Sequence, residues 1–398
     1  MTKNPMNTFT AASASITALL TFQVHADTIT VCQSGCDHTS INAAIAAADN
    51  GDVIQLSAEI YTEDVQIPLD RSLEILGDPN GAGTRLQGGR FQRLLDGKIP
   101  VTGDLVVEDI EFISYSNPRD LWLIGTADHP VRFSRCTVRS STVFQFENAI
   151  VEDSEFTQNN TQHWGPLVGA DLVMRRCRIA DSNSYNSGGV HLWEGDNLIE
   201  DCVFEYNSAS RIGALSFWHE TENNTVRGCL FRGNTAGESN AIGGWTTAVI
   251  EVYDNAFVGG SPVIRSSIGG GGGYNIIGGN TVCQGVLTSG PWEDAGGNTE
   301  LATCSEEDCD GDGGIDWIAT TTGLVADENG DLIPDGCQTP PCVGDLNLDG
   351  QVGPPDLGIL LALWGTDGGG IGDADIDGNG IINASDLGPL LGAWGLCP

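Results

Sequence analysis

Seven short segments in the middle of the chain repeat one pattern. Ile110-Glu-Phe112, Cys136-Thr-Val138, Ser154-Glu-Phe156, Cys177-Arg-Ile179, Cys202-Val-Phe204, Cys229-Leu-Phe231 and Asn255-Ala-Phe257 follow one another at intervals of 18 to 27 residues. Alternation of small, variable and apolar positions marks a strand with one face inward, and a repeat of this length means that each copy stacks on the last. One strand per repeat, with no helical stretch between, predicts a parallel β-solenoid. Asn159, Asn207 and Asn234 each follow a phenylalanine of the ladder by three residues, so a turn amide is expected to stack coil on coil. Gly188-Gly189-Val190, Ile212-Gly213-Ala214-Leu215 and Ala241-Ile242-Gly243-Gly244 open the strands that come next. Cys136, Cys177, Cys202 and Cys229 read as an inward stack of small apolar side chains, with a bridge between neighbours such as Cys202 and Cys229 left open.

Upstream, Ser40 is followed by INAAIAAADNGDVIQL, with one apolar helical face over Ile41 to Ala48. Such a helix would plug the open end of a solenoid, whose uncovered strand edge invites aggregation. The repeats resemble those of polymorphic outer-membrane proteins and other bacterial right-handed β-helices. The upstream segment resembles the first coil of the pectate-lyase and pectinesterase type. These resemblances imply an all-β chain, a right-handed parallel β-helix over residues 27–305, and are poor guides to activity.

The formal charge of −37, with Lys3 and Lys98 the only lysines, argues against nucleic acid and anionic membranes. Lys3, the run AASASITALLTF and Val24-His25-Ala26 read as an export signal cut after Ala26. No other stretch approaches the roughly 20 apolar residues of a membrane span. The expected location is outside the cell or on its surface. Twelve cysteines in an exported chain point to disulfides, and bracketing pairs Cys32 with Cys36, Cys283 with Cys304, Cys309 with Cys337 and Cys342 with Cys397.

Near the C-terminus, oxygen-bearing side chains alternate before a glycine, twice, with a constant offset of 30 residues. The first copy holds Asp345, Asn347, Asp349 and Gln351 and closes on Asp356; the second holds Asp375, Asp377, Asn379 and Ile381 and closes on Asp386. This is the donor spacing of a twelve-residue Ca²⁺ loop: positions one, three, five and twelve give side chains, and seven gives its carbonyl. Gly350 and Gly380 permit the turn at position six, and an apolar stretch ending in Trp364 or Trp394 follows each loop. The duplication resembles the type I dockerin, which implies a small α-helical calcium module over 342–398 and a cohesin-like or cell-surface protein as partner. In dockerins a pair of hydroxyl residues before the closing aspartate reads that partner; this chain has Pro354-Pro355 and Ala384-Ser385 there. Between solenoid and module, Asp308, Asp310, Asp312 and Asp316, then Asp327, Asn329, Asp331 and Asp335, place donors at one, three, five and nine. They resemble thrombospondin type 3 repeats, which implies a calcium-binding linker over 306–341 with little core of its own.

Chemistry is expected where aromatic and titratable residues recur on successive coils: His163-Trp164, His191-Leu-Trp193-Glu194, Trp218-His219-Glu220 and Trp245. Trp164, Trp193, Trp218 and Trp245 could stack on sugar rings. His191, Glu194, His219 and Glu220 are the candidates for moving protons, and Glu194 with Glu220 could form a glycosidase pair. Arg175, Arg176, Arg178, Arg211 and Arg227 are available as bases for uronate elimination but follow no lyase motif. Polygalacturonase and pectinesterase signatures are also missing. The reading is a secreted, calcium-binding β-helix that binds or acts on extracellular polysaccharide; the alternative is a structural or adhesive surface protein without catalysis.

Overall fold

The computed structural model describes residues 26–79, 83–94, 100–115, 117, 120–162, 164–246, 248–260, 262–265, 275–309, 314–327, 330, 332–337, 343–347, 349–366 and 374–396. Nearly all of the export signal, His163, Asp310, Asp312, Asn329, Asp331 and the Cys342–Cys397 pair lie outside the described residues, as do the side chains of His219 and Glu220.

The predicted ladder is found one for one. Strands Glu111–Ile113, Thr137–Arg139, Glu155–Thr157, Arg178–Ala180, Val203–Glu205, Leu230–Arg232 and Ala256–Gly260 lie parallel and side by side in an 11-stranded sheet. An 18-stranded parallel sheet forms the other two faces of the coil. Strand Phe144–Glu152 joins those faces, because its first half pairs with Leu121–Ile124 and its second half with Val131–Ser134. Inward residues fill one continuous core, with Phe204, Phe231 and Phe257 stacked at centroid distances of 4.8 and 5.0 Å. Helix Ile41–Ala47 buries Ile41, Ala44 and Ile45 against this core at its N-terminal end. The Glu63 carboxylate accepts from Ile41 N at 2.7 Å and from Ser40 Oγ at 2.7 Å, fixing the helix start.

Corners explain the small residues of the ladder. The residue before each one is left-handed: Asp109, Arg135, Asp153, Arg176, Asp201 and Asp254 have φ between 50 and 59°, and glycine stands at Gly228. That turn carries the next backbone N–H onto the side chain one rung on. Cys136 N donates to Ser154 Oγ (3.1 Å), Cys177 N to Cys202 Sγ (3.5 Å), Cys202 N to Cys229 Sγ (3.4 Å), and Cys229 N to Asn255 Oδ1 (2.9 Å). All four cysteines are free thiols and buried, so no bridge joins Cys202 to Cys229. At the next corner Asn159, Asn207 and Asn234 stack as expected, with Ser182 filling the rung between Asn159 and Asn207.

Ladders of charge bind the outer surface. Glu205 accepts from both Arg178 and Arg232 at 2.6 Å, Glu200 from Arg175 and Arg227, Glu111 from Arg85 and Arg139, and Asp153 from Arg176. Arg175, Arg176, Arg178 and Arg227 are therefore spent on cross-rung ion pairs, which corrects the expectation that they are available as bases. Burial pulls the Glu205 carboxyl upward, but the two guanidiniums outweigh it and hold the group below its usual range. Hydrogen bonding from Arg175 holds Glu200 low, as Arg176 does Asp153. A depressed folded-state pKa adds stability above the unfolded value, about 4.3 for Glu, and that stability is lost as pH falls through the folded value. Thermal unfolding of the solenoid should therefore be flat from about pH 8 to 5 and fall below about pH 4; a midpoint that rises in acid would contradict this. Glu205→Ala should cost about 2 kcal/mol, less than a fully buried pair because both arginines are partly solvated. Chemical denaturation measures it, and a loss under about 0.5 kcal/mol would show the ladder to be ornamental.

Cys283, on the solenoid strand Thr281–Gly285, is bonded to Cys304, and Cys309 to Cys337, as bracketing predicts; Cys32–Cys36 is formed as well. Helix Asp316–Thr321 packs Trp317 and Ile318 onto Ala256, Cys283, Leu230 and Val258 of the solenoid, and Thr321 Oγ1 donates to Thr281 Oγ1 at 3.0 Å. The segment expected to have little core is thus docked on the coil through that helix. Further on, helices Pro354–Ala362 and Ala384–Gly392 each follow a loop and share a small core of Leu346, Val352, Leu360, Ala374, Ile382 and Leu390.

Candidate functional site

On one corner of the solenoid the regular coil is broken by insertion. The step from Leu167 to Val173 is six positions; its paired steps are eight, from Val190 to Leu198, and ten, from Leu215 to Thr225. The extra residues form β-bulges, which re-aim side chains and are enriched beside binding and active sites. Here they carry Trp193-Glu194 and Trp218-His219-Glu220.

Period-two alternation places the neighbouring residues. Val190 and Leu192 pair with Leu215 and Phe217, all four in the core, so His191 and its partner Ser216 lie on the outer side of the sheet. Both are nevertheless buried, at 1% and 0% exposure. Aromatic rings cover them: His191 lies 5.5 Å from the Trp164 ring and 5.4 Å from that of Trp218, and the two indoles meet edge to face at 6.0 Å. Trp164 is seated by its carbonyl, which accepts from Ser187 N at 2.9 Å. A Cβ on Gly165 would stand 3.0 Å from the His191 Cβ, so glycine lets the segment lie on the imidazole. Trp245 follows at 5.1 Å from Trp218, and the Arg211 guanidinium stacks over Trp245 at 4.6 Å and Tyr185 at 5.5 Å. The result is an unbroken strip, Trp164, His191, Trp218, Trp245, Arg211 and Tyr185, running across successive rungs. Trp164 and Tyr185 are about half exposed and Trp193 is 37% exposed; none of the four tryptophans is core.

His191 is not placed as a proton shuttle. Burial drives its pKa down to about 3, so the ring is neutral at physiological pH. Its Nδ1 is 2.8 Å from Ser216 Oγ. Glu194 and Glu220 occupy directly paired positions on adjacent strands, as the sequence pattern anticipates, with backbones one strand spacing apart, about 4.8 Å. Tyr185 and Arg211 were not expected at this site. They come from the turns before strands Val190–Glu200 and Leu215–Arg227, where no spacing rule links them to a tryptophan.

The C-terminal loops repeat each other atom for atom. Asp345 accepts from Asp349 N (3.1 Å) and Gly350 N (2.9 Å); Asp375 accepts from Asn379 N (3.1 Å) and Gly380 N (2.7 Å). Gly350 and Gly380 turn at φ of 84 and 85°. Asp349 and Asn379 accept from the backbone of Gln351 and Ile381, and Asn347 and Asp377 from that of Asp349 and Asn379. Asp356 and Asp386 are fully buried and lie in the first turn of the following helix, where each carboxylate accepts from Gly353 N or Asn383 N at 2.7 Å. Carboxylate oxygens of Asp375, Asp377 and Asp386 come within 4.8 Å of one another, a hard-oxygen donor set suited to Ca²⁺. In the linker, Asp316 caps Cys309 N at 3.2 Å from the start of its helix. Asp327 accepts from Gly330 N and Leu332 N, Asp308 precedes the disulfide-bonded Cys309, and Asp335 opens a 3-10 turn.

The architecture places the chain among parallel β-solenoids. Residues 122–290 match the family described as right handed beta helix region. No curated protein matches the sequence. Among solved structures, the chain is similar to the catalytic unit of a thermostable GH87 alpha-1,3-glucanase from Streptomyces thermodiastaticus strain HF3-3, at 14% identity and a TM-score of 0.31, over 66% of this chain and 65% of that one. It is also similar to a pectin methylesterase in complex with a hexasaccharide, at 13% identity and a TM-score of 0.22, over 65% of this chain and 80% of that one. The chain thus spans 65% of the glucanase unit's length. No helix among the described residues is long and apolar enough to cross a membrane.

Proposed function

We propose that this is a secreted, calcium-binding β-helix protein that binds extracellular polysaccharide along the Trp164–Trp218–Trp245 strip. The observation that carries this is the continuity of the strip across the bulged corner, where aromatic faces follow one another at 5 to 6 Å. Aromatic rings present an apolar face to the C–H face of a sugar and a polar edge to its hydroxyls. Trp193, exposed opposite the Trp218-His219 bulge, extends the platform. Should the bound chain be cut, the paired positions of Glu194 and Glu220 are where two carboxylates could act. The loops ending in Asp356 and Asp386 would hold Ca²⁺, and the module they build would serve attachment or assembly. Its equivalent exposed residues, Leu361 with Trp364 and Leu391 with Trp394, are apolar and suit a protein partner of the cohesin-like or cell-surface kind.

The cross-rung ion pairs favour one other reading, a stiff adhesive spacer without a glycan site. Co-sedimentation with insoluble polysaccharides separates the two. The platform predicts that Trp218→Ala weakens retention at least about tenfold, the loss of one stacking ring, with thermal unfolding little changed. Retention by Trp218→Ala equal to that of the unaltered protein would leave the spacer reading standing.

A further inference from the structure

Two polar atoms beside the strip are buried and have no hydrogen-bond partner among the described residues: His191 Nε2, between Trp164 and Trp218, and Glu238 Oε2, next to Arg211. A buried polar atom left unmatched is costly, so its presence calls for a ligand or water that completes it. Arg211 is unusual in the same way. Of the nine arginines with a carboxylate nearby among the described residues, eight have one at hydrogen-bonding distance, whereas the Arg211 Nε stands 3.9 Å from Glu238 Oε1. Its plane is held by Trp245 and Tyr185 instead, which leaves the edge of the guanidinium fork to donate.

We infer that the strip selects a neutral sugar by its hydroxyl groups, with Arg211 and Glu238 reading a hydroxyl seated between them at the Trp245 end. This rests on the polysaccharide reading above and adds the class of sugar. A hydroxyl both donates and accepts, so one seated across the gap of 3.9 Å would donate to Glu238 and accept from Arg211. An acidic substituent would not fit. Glu238 already stands beside the arginine, and His191, stripped of solvent, offers no positive charge. Discrimination of this kind comes from placing a repelling carboxylate as well as an attracting donor.

The test uses the full chain in Ca²⁺ with neutral glucans and mannans, each matched with its own C6-carboxylated derivative. The neutral polymers should be retained, and carboxylation should weaken binding by about tenfold or more. Glu238→Gln should weaken retention of the neutral polymer about tenfold and narrow its advantage over the carboxylated one; Arg211→Lys, which keeps the charge but loses the fork, should weaken it comparably. Unfolding midpoints establish that each variant is folded. Equal or tighter binding of the carboxylated polymer, or unchanged binding by Glu238→Gln, overturns the inference. If Trp218→Ala still releases the polymer in that case, only the choice of a neutral sugar has failed; if no polymer is retained at all, the polysaccharide reading falls with it.

Discussion

Chelating calcium should unfold residues 343–396 and leave the solenoid intact. Among the described residues the module's core holds six that are buried, Leu346, Val352, Leu360, Ala374, Ile382 and Leu390. That is too little to fold a segment of this size unaided. Against it stand clustered carboxylates: Asp345, Asp349 and Asp356 in one loop, and Asp375, Asp377 and Asp386 in the other, the last three within 4.8 Å of one another. Their mutual repulsion opposes the fold until a divalent cation is bound, so metal binding and folding become one event. The solenoid needs no such help, because its core is continuous from Val31 to Leu287. Limited proteolysis in EDTA should therefore trim the chain to a resistant fragment ending after helix Asp316–Thr321, with the loss of helical circular dichroism restored by added Ca²⁺. Equal resistance of the module with and without chelator would refute the assignment of calcium to these loops.

Asn207→Ala should be among the most damaging single changes in the solenoid. Asn207 is fully buried, and its side chain serves three rungs: Oδ1 accepts from Ser182 N, while Nδ2 donates to Ile179 O at 2.8 Å and to Asn234 Oδ1 at 3.1 Å. Truncation strands a donor at Ser182 and an acceptor at Ile179 at buried positions. Each orphan costs about 1 to 3 kcal/mol, so a total of about 4 kcal/mol is expected in denaturant unfolding. Asn207→Ser should recover part of it, because Ser182 already fills the equivalent place one rung earlier. A loss under about 1 kcal/mol would mean that the ladder relaxes around the gap.

The coil was legible in the sequence because its register is written in residues that point inward. Cys136, Cys177, Cys202 and Cys229 had to be small, and Phe156, Phe204, Phe231 and Phe257 had to be apolar, whatever lay between. Ser182 hid one rung of the amide ladder, since a hydroxyl substitutes for an asparagine without keeping the pattern. The charge ladders were illegible for a related reason: Arg178 and Glu205 are 27 residues apart, and only a known register brings them together. At the candidate site the tryptophans announced themselves, but their setting did not. The bulges lengthen each rung by two residues, so offsets along the chain slip while the rings still meet in space. His191 looked titratable and proves to be buried and neutral, a consequence of the Trp164 segment folding across it. The twice-repeated loops before helices Pro354–Ala362 and Ala384–Gly392 stood out because their oxygen-bearing residues keep a fixed spacing, while the packing of Trp317 on the solenoid, which no motif encodes, did not.

Oxidation of tryptophans by N-bromosuccinimide, read residue by residue by mass spectrometry with and without a retained polysaccharide, locates the bound sugar on the solenoid. Trp164 and Trp193 are 50% and 37% exposed, and Trp292, Trp364 and Trp394, at 39%, 44% and 46%, provide equally accessible controls on the same chain. Polysaccharide binding along the bulged corner predicts that Trp164 and Trp193 are shielded while Trp292, Trp364 and Trp394 react as before. Shielding confined to Trp364 and Trp394, or none at all under conditions of retention, would contradict it.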